Sequence, residues 1–413
     1  MIPESRRLEL SPRHPAFVQD PYGAYATIHR RGGLLWWAEY GHWCAFDHRT
    51  VSALLRDRRF GREVLHVATR EQLGWEEVPA HLKPFYDVDG STMLEREPPV
   101  HTRLRGLVNR AFVSRQIERL RPEIEALAHR LIDAVEAGRR MELIEQFATP
   151  IPVAVIAGLL GVPVAEAPRL LDWSHRMVAM YRFGRTRADE DAAVAATAEF
   201  VRFLRDLLAE RRAVPGEDLI STLLAARDGS DRLSEDELVG TCILLLNAGH
   251  EATVHAIGNG MLSWLRSERD PAACFADPAR TEATVEEMLR HDTPLHLFTR
   301  YALEPLMLPD GAGGEARFAV GDRIGLVLGA ANRDPAVFAE PDRFDPDRER
   351  RPHASFGGGI HFCIGAPLAR LEMQVALPIL VRRLPGLRLA EEPRFADSFH
   401  FRGLERLELE WGS

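Results

Sequence analysis

The sequence predicts a mainly α-helical protein with a minor β portion, and two observations carry that prediction. Apolar residues recur at helical spacing through most of the chain after Pro98, and the longest such pattern covers residues 234–267. Strand-like stretches are short and lie before residue 50 and after residue 295. No Ser/Gly linker, repeat or low-complexity run divides the 413 residues, so we expect a single domain over residues 1–413.

The first sixty residues begin as proline-rich coil and continue into a short helix at 22–30. Two strand-like pieces, 34–37 and 42–46, flank Glu39-Tyr40-Gly41 and predict a small hairpin. Residues 61–95 show no clear period, which is typical of a binding loop or lid. This stretch therefore is a candidate for the entrance to a site.

Helical patterns follow at residues 120–135, 150–160, 170–180 and 192–212, and then over 234–267 and 284–291. The polar stretch 182–191 joins two of them, which form either a moving lid or an ordinary helical hairpin. Strand-like pieces come at 298–303, 316–320 and 323–328, and a last strand region is predicted at 399–411. The helices therefore outweigh the sheet.

Composition limits the function classes. A formal charge of −9 argues against a general nucleic-acid binder. The four cysteines form no C-x-x-C pair, which favours a reducing compartment over a disulfide framework. The first ten residues are charged and lack an apolar core, so we expect neither a signal peptide nor a membrane anchor but a cytoplasmic protein.

Residues 356–366 are rich in glycine and place Cys363 just before an apolar helical pattern that starts near Pro367. The unpaired N–H groups and the dipole at a helix N-terminus favour a thiolate. Glycines on both sides let a flat ligand approach the sulfur. The segment indicates either a thiolate ligand for a metal or a buried cysteine beside a mobile loop.

The long helical pattern has a polar middle. Ser234 and Glu237 form a capping box at its start, and an apolar run then meets Asn247-Ala248-Gly249-His250-Glu251-Ala252-Thr253. A buried carboxylate needs partners or a raised pKa. Glu251 therefore either caps a neighbouring backbone, pairs with an arginine, or relays protons together with Thr253 over a cofactor.

Five stretches resemble motifs of the cytochrome P-450 superfamily of haem-thiolate monooxygenases. Phe356-Gly357-x-Gly359-x-His361-x-Cys363-x-Gly365 is similar to the haem-binding loop at every signature position. The other four are His101-Thr102-Arg103-Leu104-Arg105 (the propionate-binding helix), Ala248-Gly249-x-Glu251 (the long helix over the haem), Glu287-x-x-Arg290 (a buried ion pair) and Pro341-Asp342-Arg343-Phe344 (whose arginine joins that pair). The resemblance implies the cytochrome P-450 fold, a helix-rich triangular domain with a long central helix over the haem.

The resemblance also implies residue roles. The cofactor is haem b, and Cys363 is the metal ligand, an axial thiolate that favours O–O cleavage. The implied propionate partners are His101, Arg105, Arg300 and His361, and Phe356, Gly357 and Gly365 complete the cofactor site. Glu287, Arg290 and Arg343 are implied to form a buried structural network, although an i, i+3 pair is by itself typical of a solvated surface.

One position departs from the family pattern. Most relatives carry threonine after the acid of the long helix, whereas this chain has Ala252, followed by Thr253. A shift of one residue turns a side chain by about 100° around a helix. We expect a substrate hydroxyl and ordered water to complete the relay with Glu251. The alternatives are that Thr253 reaches in through a local distortion of the helix, or that oxygen activation is poorly coupled.

The substrate pocket is predicted from the same alignment of motifs, and its members are Asn247, Ala248, His296, Leu297, His400 and Phe401. If the two histidines face the pocket, the substrate carries polar groups beside an apolar or aromatic frame. The alternative for each histidine is a hydrogen bond to backbone away from the pocket.

The leading hypothesis is a bacterial monooxygenase that inserts one oxygen atom from dioxygen into a small organic molecule. Expected partners are a ferredoxin and its ferredoxin reductase, with no nucleic acid, no membrane and a monomeric state. The docking candidates Arg103, Arg110, Arg115, Arg351 and Arg370 either bind that acidic partner or form a solvated basic face. The alternatives are a peroxide-driven, coupling or cleaving member of the family, and a haem sensor, which would need neither Glu251 nor a lid.

Overall fold

The computed structural model describes residues 2–111, 117–226 and 232–412. Its helices, labelled α1 to α15 in chain order, are Pro15–Gln19, Tyr22–Arg31, His48–Leu54, Lys83–Asp89, Val100–Ala111, Arg121–Asp133, Pro150–Leu160, Ala167–Val178, Arg187–Ala213, Leu219–Ala225, Glu235–Arg266, Pro271–Phe275, Pro278–His291, Leu328–Ala331 and Ala366–Arg383. Its strands, β1 to β11, are Arg7–Leu8, Leu34–Trp37, His42–Ala45, Phe60–Gly61, Arg140–Glu142, Leu297–Ala302, Leu306–Pro309, Glu315–Phe318, Arg323–Val327, Arg388–Leu389 and Glu408–Glu410. The predicted class, mainly α with a minor β portion, is confirmed.

Helix α11 is the central element. It runs without interruption for 32 residues, about 48 Å, from the predicted capping box of Ser234 and Glu237. It packs on α7, which is apolar on every side, and on α13. Gly249 permits the close approach to α7, because a Cβ there would lie 3.0 Å from Ile156 Cγ1. The polar middle of α11 is thereby held at a fixed place in the core.

The larger sheet has six strands in the order β1-β2-β3-β9-β6-β4. The predicted hairpin is confirmed, since β2 and β3 pair antiparallel with Leu34 opposite Ala45. Strand β3 then pairs in parallel with β9, and β9 pairs antiparallel with β6. This arrangement places β6, which carries Arg300, in the same sheet as the N-terminal hairpin, with β9 between them.

The prediction of a strand over 399–411 is largely wrong. Only Glu408–Glu410 forms a strand there, next to β5 and β10, and residues 401 and 404 make isolated bridges to Leu295 and Phe395. The buried Arg402 side chain donates to Asp292 Oδ1 and to the carbonyl oxygens of residues 18 and 19. These bonds hold the segment as an irregular turn.

Two other boundaries differ from prediction. The region 61–95, which has no sequence period, contains the short helix α4. Helix α9 begins at Arg187, inside the predicted connection, because Thr186 and Asp189 form a second capping box. Among the described residues, we find no helix with the length and apolar character needed to cross a membrane.

Candidate active site

A cavity of about 980 Å³ lies between the cysteine loop and α11. The predicted residues that line it from α11, β6 and the C-terminal turn are Asn247, Ala248, Glu251, Ala252, Thr253, Leu297, His400 and Phe401. Those that line it from the cofactor side are His101, Arg105, Arg300, Phe356, His361, Cys363 and Gly365. The fold thus gathers residues from widely separated parts of the sequence around one space.

Cys363 lies between a single 3-10 turn, Gly359–His361, and the start of α15. Its N–H donates to the carbonyl oxygen of Phe356 at 2.9 Å, which closes the loop. Gly359 has a φ of +66°, and a Cβ there would lie 2.4 Å from the Leu55 carbonyl oxygen, so only glycine fits. The sulfur is exposed toward the cavity that the loop borders.

Two opposing effects act on this thiol. Burial among protein atoms raises the pKa of Cys363, although the N–H groups of Gly365 and Ala366 and the charge of Arg105 lower it. A coordinated metal ion deprotonates a thiol outright. The sulfur therefore has the position and the chemistry of a metal ligand.

Four basic side chains surround one end of the cavity, and the Glu97 carboxylate lies beside one of them, His361. Burial lowers the pKa of Arg300 to about 10, with a contribution from Arg62, and burial also lowers the pKa of Arg105. Burial, His361 and Arg105 lower the pKa of His101 to about 4. Within the described parts of the chain, neither ring nitrogen of His101 has a hydrogen-bond partner. Such a cluster suits an anionic ligand.

These residues fit a haem. The two propionates of that group would be anionic partners for the basic cluster, and the ring N–H of His101, which has no partner in the described chain, would donate to one of them. Cys363 offers a thiolate to the iron from the adjoining loop. His361 already donates from Nε2 to Glu97 Oε1 at 3.0 Å, so its other ring nitrogen is the one available to a ligand.

On α11, Glu251 is nearly buried and lies among three histidines. Its carboxylate oxygens are 3.4 Å from His175 Nε2, 3.4 Å from His255 Nε2 and 3.6 Å from His250 Nε2. Burial would raise the pKa of Glu251, but the contacts with His175 and His255 lower it well below its usual value. The carboxylate is therefore ionised, and its partners are histidines rather than the arginine or backbone considered from sequence.

The two residues that follow Glu251 lie on a regular stretch of α11. Ala252 and Thr253 both line the cavity, and the helix around them is continuous. Asn247 also borders the space. Its Nδ2 lies 3.8 Å from Met177 Sδ, and its buried Oδ1 has no partner among the residues that the structure describes.

The prediction that His296 lines the pocket is wrong. His296, which immediately precedes β6, is fully buried away from the cavity, and its Nδ1 lies 2.8 Å from the Tyr25 hydroxyl oxygen. Its ring packs against Tyr22 and Phe399. Its neighbours Leu295 and Leu297 face the cavity instead, as strand alternation requires. His400 does line the cavity, and burial lowers its pKa to about 4.

Gly357 and the predicted ion network also need correction. Gly357 does not line the cavity; at a φ of +68° it shapes the turn beside Phe298.

Glu287 and Arg290 do form a buried pair, with bonds of 2.7 and 2.8 Å. The third side chain is Arg348, whose Nε lies 3.0 and 3.1 Å from the Glu287 oxygens. Arg343 contributes only its carbonyl oxygen, because its side chain is exposed beside Glu340.

Sequence reasoning missed a polar group at the cavity wall. The Tyr181 hydroxyl donates to Asp89 Oδ1 at 2.8 Å, and Arg62 pairs with Glu95. Burial and the charge of Glu95 raise the pKa of Asp89 to about 7. Asp89 and Arg62 come from the stretch without a sequence period, so no motif pointed to them.

Comparisons with known proteins agree with this geometry. A family model described as "Cytochrome P450" matches residues 274–389. The chain is 37% identical over 411 residues to "Cytochrome P450 107B1" of Saccharopolyspora erythraea, covering 96% of each chain. It is 39% identical over 402 residues to "6-deoxyerythronolide B hydroxylase" of the same organism, covering 95% of this chain and 96% of that one.

Solved structures give the same result. The structure of "P450BioI in complex with hexadec-9Z-enoic acid ligated Acyl Carrier Protein" superposes with a TM-score of 0.88 at 33% identity, covering 96% of this chain and 100% of the other. Sequence identity above 30% along nearly the whole chain accompanies a shared fold. The chain belongs to the cytochrome P-450 superfamily of haem-thiolate monooxygenases.

Proposed function

We propose that this protein binds haem b through Cys363 and inserts one oxygen atom from dioxygen into a small organic intermediate of a bacterial biosynthetic pathway. The observation that carries the proposal is the cavity itself, which joins the Cys363 sulfur, a cluster of basic side chains and the Glu251 carboxylate. When bound, the haem supplies the oxygen activation that a thiolate-ligated iron makes possible.

In this proposal the chain holds the cofactor from two sides. Cys363 ligates the iron, Phe356 packs on the sulfur side, and the N–H of Gly365 donates a hydrogen bond to the sulfur. His101, Arg105, Arg300 and His361 bind the propionates with charge-assisted hydrogen bonds. The buried Glu287, Arg290 and Arg348 fix the segment before the cysteine loop and take no part in the chemistry.

Glu251, as a carboxylate, accepts and passes on the protons that the reaction consumes, and His175 connects it toward solvent. The His175 side chain is 57% exposed and approaches Glu251 Oε2 at 3.4 Å. Ala252 offers no hydroxyl, so a substrate hydroxyl and ordered water complete the relay in the cavity. The continuous helix at this position favours that hypothesis over a local distortion that brings in Thr253.

Ala252→Thr tests the relay. With the true substrate, we expect coupled product per reductant consumed to stay equal or fall, because the added side chain competes with the substrate hydroxyl. The matched control is Thr253→Ala, for which we expect only a small change. A large gain in coupling in Ala252→Thr would reject the substrate-assisted relay and would favour the alternative of a poorly coupled or peroxide-driven enzyme.

The substrate proposal rests on the mixed wall of the cavity. Phe85, Val88 and Leu297 are apolar, whereas the partnerless Asn247 Oδ1 and the buried His400 ring are polar. A ligand with an apolar frame and at least one hydrogen-bond donor suits such a wall. Relatives named for a hydroxylase of 6-deoxyerythronolide B and for a lipid-loaded acyl carrier protein complex support a biosynthetic substrate.

The decisive experiment has two stages. Purified protein reconstituted with haem is first screened with biosynthetic intermediates for a substrate-induced spin-state change. Ligands that respond are then turned over with ferredoxin, ferredoxin reductase and isotopically heavy dioxygen. We expect one heavy oxygen atom per product molecule. A product that takes its oxygen from water, or a protein that binds ligands but never turns over, would reject the monooxygenase role.

A ferredoxin is the proposed electron donor, and exposed arginines near the cysteine loop are its docking candidates. Arg103 and Arg370 pair with Glu237 and Glu286. Arg110 and Arg351 are exposed, and Arg351 pairs with the neighbouring Glu349. Arg115 lies outside the described residues. We expect Arg110→Glu together with Arg351→Glu to slow reduction by ferredoxin, most strongly at low salt. An unchanged rate would reject docking at this face.

A further inference from the structure

The histidine cluster around Glu251 has the ligand set of a metal site. His175, His250 and Glu251 come from two helices, and one potential ligand atom of each lies within 4.8 Å of those of the other two. Two histidines and one glutamate, with a fourth position left for water, is a known ligand set for zinc. Glu251 borders the cavity, whereas the histidines lie behind it, so the cluster is distinct from the cysteine site.

The His250 ring is oriented to act as a metal ligand. Its ring is almost completely buried, and Nδ1 lies 2.8 Å from the Leu246 carbonyl oxygen. Since a carbonyl only accepts, Nδ1 carries the proton and Nε2 presents its lone pair, the form that binds metals. Among the described residues, this Nε2 has no hydrogen-bond partner. A buried, oriented and unpartnered nitrogen therefore faces the Glu251 carboxylate.

The distances suit a tetrahedral ion. Zinc bonds of about 2.0–2.1 Å place two tetrahedral ligand atoms roughly 3.3–3.5 Å apart. Glu251 Oε2 lies 3.4 Å from His175 Nε2 and 3.6 Å from His250 Nε2. His255 bonds the other carboxylate oxygen at 3.4 Å, the position of a residue that orients a ligand from behind. His175 is more exposed than the others and can adjust.

We propose that His175, His250 and Glu251 bind one Zn²⁺ ion, which joins helix α8 to the middle of helix α11. Met177 and Val178 at the end of α8 line the cavity, so an ion at this point would fix one wall of the substrate space. The ion would also bind Glu251 Oε2, an oxygen of the carboxylate that takes part in the proposed proton relay. The effect on the relay rests on the proposed function, whereas zinc binding itself does not.

Calorimetric titration of the haem-loaded protein with ZnCl₂ tests the site without any turnover. We expect one saturable site in the parent protein and at least tenfold weaker binding in His175→Ala, since even residues that only support a ligand contribute 10–100-fold. His129→Ala, a change at an exposed helical histidine elsewhere, is the matched control and should bind zinc as the parent does. His175 is exposed enough for its variant to fold.

Diffraction at the zinc absorption edge locates the ion. We expect an anomalous peak within bonding distance, about 2.0–2.2 Å, of His175 Nε2, His250 Nε2 and Glu251 Oε2. The proposal is overturned if the parent shows no saturable site, if His175→Ala binds zinc as tightly as the parent, or if the peak lies elsewhere. A normal carbon monoxide spectrum in the same sample would show that such a failure leaves the haem assignment intact.

Discussion

Replacing Arg348 by methionine should destabilise the protein, whereas the same change at Arg343 should not. The Arg348 side chain is 13% exposed and donates from Nε to both oxygens of Glu287, which is itself 2% exposed. Hydrogen bonds to charged groups contribute about 1.5–3 kcal/mol each. Because Arg290 still neutralises Glu287, we expect a loss of roughly 2–4 kcal/mol rather than the full cost of an unpaired buried charge.

The matched variant is Arg343→Met. That side chain is 56% exposed and pairs with Glu340, an arrangement that contributes about 0–1 kcal/mol. Thermal unfolding followed by tryptophan fluorescence measures both. At about 2 cal/mol/K per residue, the Arg348 loss corresponds to a fall of roughly 2–5 °C. Equal destabilisation by the two variants, or a larger effect at Arg343, would refute the assignment of the network to Arg348.

Three further predictions concern the cofactor site, acid stability and the cavity wall. His101→Phe should speed haem loss to an acceptor protein, because it removes a donor whose nitrogens have no other partner in the described chain; retention equal to the parent would contradict this. Although burial opposes it, hydrogen bonds from Arg370 and His353 lower the pKa of Glu286 to about 2. The ionised Glu286 therefore stabilises the folded protein above the ordinary pKa of a glutamate, and this stabilisation is lost as the pH falls toward 2. Glu286→Gln should lower the free energy of unfolding by roughly 1–2 kcal/mol at pH 7 and by almost nothing at pH 2. The pKa of Asp89 is raised to about 7, so Asp89→Asn should raise the melting temperature by an amount that grows from pH 4 to pH 7; a constant difference would contradict this.

The sequence predicts local elements well because their signals are local. The capping box at Ser234 places the start of α11 at the expected residue, and the apolar run at 150–160 becomes a buried helix with those bounds. The cysteine loop was recognisable because position 359 needs a positive φ and a close approach to the Leu55 carbonyl oxygen, which only glycine allows. Most of the cofactor side of the cavity could therefore be inferred from motifs.

The failures concern which way a side chain points and what it meets. His296 and Leu297 are adjacent where β6 begins, and the sequence does not say which of them faces the cavity. Arg343 and Arg348 lie in the same proline-rich segment without a period, which leaves their directions undetermined. His250 and His255 lie on α11 beside Glu251, but His175 reaches Glu251 only because α8 packs against α11. Tertiary contacts of this kind leave no pattern in a single sequence.

The central claim is that Cys363 is the axial thiolate of a haem in this cavity. The direct test is the carbon monoxide difference spectrum of the reduced, haem-loaded protein beside that of Cys363→His. We predict a thiolate-type band in the parent and its replacement by an imidazole-type band in the variant, which keeps its haem through the propionate contacts. A parent without the thiolate-type band, or a variant that retains it, would contradict the account.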